Sequence, residues 1–396
     1  MKRVLFVDDE LSVLDGLRDL LRKERKRWTM VFALGAEKGL EEIRSSEFDV
    51  VVSDMRMPGM DGAEFLHEVK KLQPRAVRVI LSGQADSRAV VKALPVTHQF
   101  LAKPCSPHLL RTTIERSTAL KAFLDDPGIR ACIGRIDNIP TVSKTYLDLS
   151  SAAAQPECGL REFSEIVERD PSISAKVLQL VNSPYFGLTR KEGSIHHAVT
   201  LLGSDLLRAL VLSASAFASH ERVVDVAALE AQQAHALLVA RLAKMFAGSS
   251  PKESQEASTA ALLHDIGKLV LAVNDPANYT KLLEDFDQQH PQVEQIERDL
   301  FGVSHADAGG YLLALWGLPT PIIEAAAYHH EPSRAPASAH KTLAIVHAAD
   351  ALAQGWRGTP DGFSSNHLDE AFLEKSGYGN RISEWRSIAE RELSAR

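Results

Sequence analysis

The chain has 396 residues, of which 45% are apolar and 24% charged, with a formal net charge of −7. That length suggests two or three globular domains, and the acidic balance gives no basis for nucleic-acid binding. The start "MKRVLFVDDE" is broken by acids at once, so it reads as a strand and not a signal peptide, and no apolar run is long enough to span a membrane. Cys105, Cys132 and Cys158 form no Cys-x-x-Cys pair, which points to a reduced, cytoplasmic protein without a cysteine zinc site.

Residues 1–124 alternate strand and helix signals. Short apolar runs at 4–7, 30–34, 50–52, 77–81 and 100–102 are separated by helical patterns near 11–23, 36–45, 62–72, 86–94 and 106–123. This alternation predicts an α/β unit: a doubly wound, five-stranded parallel sheet of flavodoxin-like type with helices on both faces.

The strand ends carry the chemistry. The first strand ends in Asp8-Asp9, the third in Asp54, the fourth in Ser82 and the fifth in Lys103. Ligands gather at the carboxyl edge of such sheets. Three carboxylates there repel one another and require a cation, and hard oxygen ligands suit Mg²⁺. With that charge offset, Asp54 can attack a phosphoryl group, while Lys103 offers the phosphate a positive charge and Ser82 a hydroxyl. Taken singly, each residue has a plainer role as a helix cap, a turn residue or a solvated lysine. Their joint placement at the ends of four strands argues for a site.

The stretches "VLFVDDE", "DVVVSDMRMPGMDG", "VILSG" and "FLAKP" resemble, in order and spacing, the receiver domain of bacterial two-component response regulators across residues 1–124. The resemblance implies a phosphoprotein acting in a phosphorelay: Asp54 as phospho-acceptor for a sensor histidine kinase, and Asp8 and Asp9 as the acidic pair that holds Mg²⁺ with Asp54. It further implies Ser82 as switch hydroxyl, Lys103 as phosphate-binding lysine and the Arg56 carbonyl as a Mg²⁺ ligand. Phe100 stands where many receivers carry a switch tyrosine.

Beyond "DDPG" at 125–128, a turn signal without a Gly/Ser-rich linker, the strand alternation stops. Helical patterns follow, among them 141–150, 160–169, 172–182, 195–202, 204–220, 225–247, 256–272, 276–289, 292–300, 304–316, 320–330 and 339–354. They predict an all-α domain large enough for its own core. Asp170-Pro171 reads as a helix start and the stretch 201–205 as a tight corner between helices. "RDPSISAKVLQLVNSPYFG" (169–187) and "SIHHAVTLLGSDLLRALVL" (194–212) resemble the HDOD domain, a helical output module related to the HD hydrolases, over residues 129–332. Residues 333–396 form a C-terminal helical extension or tail, resembling the family as far as Asp350, with "GWRGTPDGFSSNH" expected as a mobile loop.

His235, the pair His264-Asp265, His305, the pair His329-His330 and Asp350 lie on separate helical patterns of this second domain. Imidazoles and carboxylates drawn from several helices can hold one or two metals in a bundle core, with iron, manganese or zinc suited to such ligands. The set resembles the metal-binding pattern of HD hydrolases, with Lys268 matching a basic residue of those enzymes. A plainer reading gives each histidine a structural hydrogen bond at a helix end. The Gly-Tyr-Pro signature of the cyclic-di-GMP phosphodiesterase branch is missing after His329-His330, where the chain reads "EPSRAPASAH". The expected function is a cytoplasmic response regulator whose HDOD domain signals by binding a downstream protein partner, with homodimerisation left open. The alternative is a receiver-controlled, metal-dependent phosphohydrolase or phosphodiesterase.

Overall fold

The computed structural model describes residues 2–83, 89, 92–123, 143–155, 158–183, 186, 188, 190–212, 226–285, 293–336, 341–356 and 368–394. The "DDPG" turn, most of the helical pattern at 86–94, residues 213–220 and nearly all of "GWRGTPDGFSSNH" lie outside these residues.

The N-terminal part is a parallel sheet in the order β2-β1-β3-β4-β5, built from β1 (Lys2–Asp8), β2 (Trp28–Leu34), β3 (Val50–Asp54), β4 (Val77–Gly83) and β5 (Gln99–Lys103). Helices α1 (Leu11–Leu20), α2 (Ala36–Ser45), α3 (Gly62–Leu72) and α4 (Pro107–Phe123) flank it. The Val-rich run of β3 is buried throughout, as a strand covered on both faces must be. Helix α3 is started by a capping box in which the Asp61 carboxylate accepts from the Glu64 N–H and Glu64 accepts from the Asp61 N–H. Ser53 pairs in register with Val7 and Ile80, and Ser82 with Ala102, so the polar strand ends fall on one edge.

The rest is helical: α5 (Ser143–Ala154), α6 (Leu160–Val167), α7 (Pro171–Asn182), α8 (Ile195–Leu212), α9 (Val226–Phe246), α10 (Pro251–Leu263), α11 (Ile266–Asn274), α12 (Pro276–Asp285), α13 (Val293–Phe301), α14 (His305–Leu315), α15 (Thr320–Tyr328), α16 (Lys341–Gly355), α17 (Glu370–Lys375) and α18 (Ile382–Ser394). Asp170 caps α7, its carboxylate accepting from the N–H groups of Ser172 and Ile173, with Pro171 at the first helical position. Gly203, at φ +73°, breaks α8 at the corner anticipated from the sequence. At the C-terminal end, Trp385 of α18 is fully buried and stacks on Phe246 of α9 at 5.1 Å.

One expectation at the second group of site residues changes. The single helix expected over 256–272 is two, α10 and α11, with His264 and Asp265 at the break. Asp265 leaves the helical region at φ −99°, ψ 11°, which points both side chains at one place. Gly267, just past the break, presses on α14: a Cβ there would lie 1.8 Å from the His305 carbonyl oxygen and 2.7 Å from the Gly309 N. Only glycine permits this backbone-to-backbone approach.

The two parts meet where β5 faces α7 and α14. Gln99 of β5 donates its Nε2–H to the Leu315 carbonyl at 2.6 Å, and Gln179 of α7 donates to the Thr97 carbonyl at 3.1 Å. Around this seam lie four buried basic side chains: Lys70, Arg78, His98 and Lys176. Arg78 spends its donors on the carbonyls of Val96 (2.7 Å) and Ala76 (3.2 Å). Burial lowers Lys176 to about 7, while its contact with the Trp316 ring at 4.5 Å works the other way.

Two measurements test this packing. Gly267→Ala should cost about 1–3 kcal/mol of stability in urea denaturation, as overpacking does. An unchanged midpoint would show that α11 and α14 are not so close. For Lys176, the unfolded chain holds its proton up to about pH 10.5 and the folded protein releases it near 7. Across that window the unfolded state binds more protons, so this lysine's penalty on folding is full below about pH 7 and shrinks as pH rises. Lys176→Met should therefore melt above wild type at pH 7, with the gap closing towards pH 10; a pH-independent gap would contradict a deprotonating Lys176.

Candidate functional site

At the sheet's carboxyl edge, the strands bring Asp8, Asp54 and Lys103 together. The Lys103 ammonium sits 2.8 Å from Asp8 Oδ2 and also bridges to Asp54 Oδ1. Burial opposes its charge, but the two carboxylates outweigh burial and raise its pKa. Asp8 and Asp54 are buried, so in this arrangement a lysine supplies part of the positive charge that clustered carboxylates need. Asp54 Oδ2 also accepts the Arg56 N–H at 2.7 Å, which orients the carboxylate. Asp9 is exposed beside Asp8. Ser82 is buried at the end of β4 with its hydroxyl directed to the Gly83 carbonyl, 3.4 Å away. Phe100 is fully buried in β5, its ring already inward.

The second site lies among α9, α11, α14, α15 and α16, and it gathers every histidine and aspartate singled out in that part of the sequence. Asp265 is its hub. One oxygen, Oδ1, lies 3.2 Å from His305 Nε2 and 3.5 Å from His329 Nε2. The other, Oδ2, lies 3.4 Å from His264 Nε2, 3.8 Å from His235 Nε2 and 2.6 Å from the Lys268 ammonium. Asp350 Oδ1 lies 3.0 Å from His235 Nε2 and 3.5 Å from His264 Nε2. His330 Nε2 completes the set, 3.1 Å from His305 Nε2. The ligand atoms fall into two groups, each within 4.8 Å: Asp265 with His305, His329 and His330, and His235 with His264 and Asp350.

The histidines are aimed by their other ring nitrogens. His264 Nδ1 donates to the Ala261 carbonyl at 2.6 Å and His329 Nδ1 to the Ala326 carbonyl at 3.0 Å. This is the helix-end role of the plainer reading, yet it leaves each Nε2 lone pair facing the centre. His264 Nε2 and Asp265 Oδ1 are buried without a well-formed hydrogen bond. The Nε2 atoms of His305 and His329 approach to 3.3 Å. Lone pairs and a carboxylate converging in a buried space repel one another without a cation. The donor set, nitrogen and oxygen ligands around a shared carboxylate, fits one or two divalent transition ions.

The charges agree. Burial alone would raise Asp265, yet His264 and Lys268 hold it well below the ordinary carboxylate range; His235 and His264 do the same for Asp350. Burial opposes a charge on His305, but Glu297 and Asp265 lift it to about 10. A proton there supplies charge that an ion would otherwise supply. His329 and His330 are lowered, first by burial and then by the neighbouring imidazoles.

Several contributors were not legible as site residues. Glu297 of α13 accepts from His305 Nδ1 at 2.6 Å, and Gln354 donates to both oxygens of Asp350 at 2.8 and 2.9 Å. Gln232 donates to the Asp265 carbonyl at 3.0 Å, and His347 to the His329 carbonyl at 2.7 Å. In sequence these are ordinary helix residues, although Gln232, His347 and Gln354 each lie one turn from His235 or Asp350.

Comparison with known proteins assigns both parts of the chain. The response regulator receiver domain family matches residues 4–115 and the HDOD domain family residues 139–332. An uncharacterized protein of Treponema pallidum is 26% identical over 202 residues, covering 51% of this chain and 39% of that protein. The hydrogenase transcriptional regulatory protein HoxA of Cupriavidus necator is 31% identical over 125 residues, 31% of this chain and 25% of that one. The chain spans 24–39% of the length of the curated relatives it matches first. Among solved structures, the MmoQ response regulator of Methylococcus capsulatus shares the fold at TM-score 0.50, with 23% identity over 63% of this chain and 98% of its own. A Campylobacter jejuni virulence factor does so at TM-score 0.53, with 20% identity over 68% and 98%. Among the described residues, no helix is long and apolar enough to cross a membrane. A receiver domain at one end and an HDOD helical domain at the other place this chain in one family: it is a response regulator with an N-terminal receiver domain and an HDOD output domain.

Proposed function

We propose that the protein takes a phosphoryl group on Asp54 from a histidine kinase, with Mg²⁺ held by Asp8, Asp9 and Asp54, and so controls the HDOD domain. The Lys103 bridge between Asp8 and Asp54 supports this reading most directly, since the same ammonium can pass to a phosphate oxygen. The transfer forms an Asp54 Oδ–phosphorus bond as the phosphorus–nitrogen bond of a phosphohistidine breaks, and the imidazole leaves. Mg²⁺ would offset the negative charge gathering on the phosphoryl oxygens. Ser82 then offers its hydroxyl to the phosphate. Phe100, adjoining Gln99 on β5, lies next to the seam with α14, so a shift at this strand bears on the contact between Gln99 and Leu315. The output acts through a protein partner that reads the state of this seam.

In the helical domain, His235, His264, Asp265 and Asp350 would hold one divalent transition ion, and Asp265, His305, His329 and His330 a second. A bound pair would polarise a phosphodiester and supply a hydroxide nucleophile at neutral pH. One observation favours this hydrolytic reading as a second possibility: His235 remains partly open to solvent at 21% side-chain exposure, while His264 and His305 are sealed. A metal that senses or stiffens without catalysis is the first reading, in keeping with an output by partner binding.

Asp54→Asn keeps the shape of Asp54 and removes its nucleophile. Incubation with Mg²⁺ and acetyl phosphate should add a base-labile phosphoryl mass to wild type and none to the variant; a surviving adduct would move the acceptor elsewhere. For the metal, binding to the native state alone stabilises it by mass action. A chelator should lower the melting temperature of wild type but leave His264→Ala unmoved. Equal, zero shifts in both proteins would remove the metal.

A further inference from the structure

The two halves of the helical site differ in what stands behind their imidazoles. His264 and His329 are oriented by main-chain carbonyls, at 2.6 and 3.0 Å. His305 is oriented by a carboxylate: Glu297 Oε2 accepts from its Nδ1 at 2.6 Å and from its backbone N–H at 2.7 Å. Glu297 is 1% exposed, and its second oxygen is buried without a hydrogen bond. Its charge acts within this buried space, on the hydrogen-bonded His305 and also on the Lys268 ammonium, and is not spread over a surface network. Behind the other half stands a neutral amide, Gln354, on Asp350.

A metal draws electron density from a bound imidazole, so the N–H on its far side becomes more acidic and its hydrogen bond to a carboxylate strengthens. A carbonyl gains less. A carboxylate behind a ligand thus favours the loaded site over the empty one.

We propose that Glu297 is a positioning residue that makes His305 the strongest imidazole donor of the cluster, so that the half formed by Asp265, His305, His329 and His330 takes its divalent ion more tightly than the half formed by His235, His264 and Asp350. This rests on the metal reading given above. The eight-residue separation of Glu297 and His305 spans the turn between α13 and α14, where the Glu297 side chain reaches forward over the start of α14. Packing of α14 against Gly267 of α11 holds His305 in place on its other flank.

The test uses the full chain, stripped of metal and titrated with Co²⁺, read by visible absorption and by bound metal after gel filtration. Wild type should bind two ions in two resolved steps. Glu297→Gln keeps the volume and an acceptor oxygen but not the charge; it should weaken the tighter step about 10–100-fold and shift its cobalt band, leaving the weaker step within about twofold. Glu297→Asp keeps the charge and should recover part of the tight step. Metal-free melting curves of the three proteins separate a folding defect from a metal defect, and the Glu297→Asp rescue distinguishes charge from shape. Two wild-type steps with both unchanged in Glu297→Gln would overturn the proposal alone, as would equal weakening of both steps or a Glu297→Asp protein as weak as Glu297→Gln. Wild type that binds no cobalt would overturn the metal reading and this proposal together.

Discussion

The site of the helical domain is organised around a buried carboxylate, Asp265, that cannot stand in a protein interior without positive charge beside it. A lone ion in such a setting is expensive, so its neighbours are constrained in kind and in direction. Lys268, one turn on, sits on one oxygen, and the imidazoles of four other helices close around both. The break between α10 and α11 that exposes Asp265 to them, and the glycine that lets α11 press on α14, serve this one requirement. Helices that are distant in sequence are thereby tied to a common point.

The receiver meets a similar problem with different means. Its acids also crowd together, but at the edge of a sheet, where Lys103 can bridge them and water is near. Lys103 keeps 31% side-chain exposure, so this edge of the sheet is partly open. The cluster in the bundle is more enclosed, with His264 and His305 fully buried and His235 partly open.

Between the two sites runs a short physical path. Lys103 ends β5, Gln99 begins it, and Gln99 holds the last turn of the helix that His305 begins. Coupling needs an element with two arrangements that both sites bias, and at the seam Gln99 and Gln179 carry hydrogen bonds between the two domains. Burial disfavours the charge on each of the basic side chains around the seam, Lys70, Arg78, His98 and Lys176.

Much of this was written in local pattern. Apolar runs of strand length with helical periods between them determine a parallel α/β sheet, and a parallel sheet must place its strand ends on one edge, so Asp8, Asp54, Ser82 and Lys103 could be grouped before any coordinates. Asp170-Pro171 and Gly203 carried their helix start and corner in their own chemistry. The histidines and aspartates of the helical domain could be named as a set, because such residue types are seldom buried without a reason. What the chain alone could not decide is everything that depends on which helix faces which. Periodicity across 256–272 is continuous and predicts one helix, whereas the chain breaks at His264-Asp265, the helix end that only the plainer reading of the histidines allowed. Glu297 looks like any solvent-facing acid on an amphipathic helix, and Lys176 and Gln179 like any polar residues on another. The partners of Lys176 and Gln179 are many tens of residues away, and that of Glu297 lies across a turn on another helix; only tertiary packing, which sets distance and excludes water, turns such residues into parts of a site.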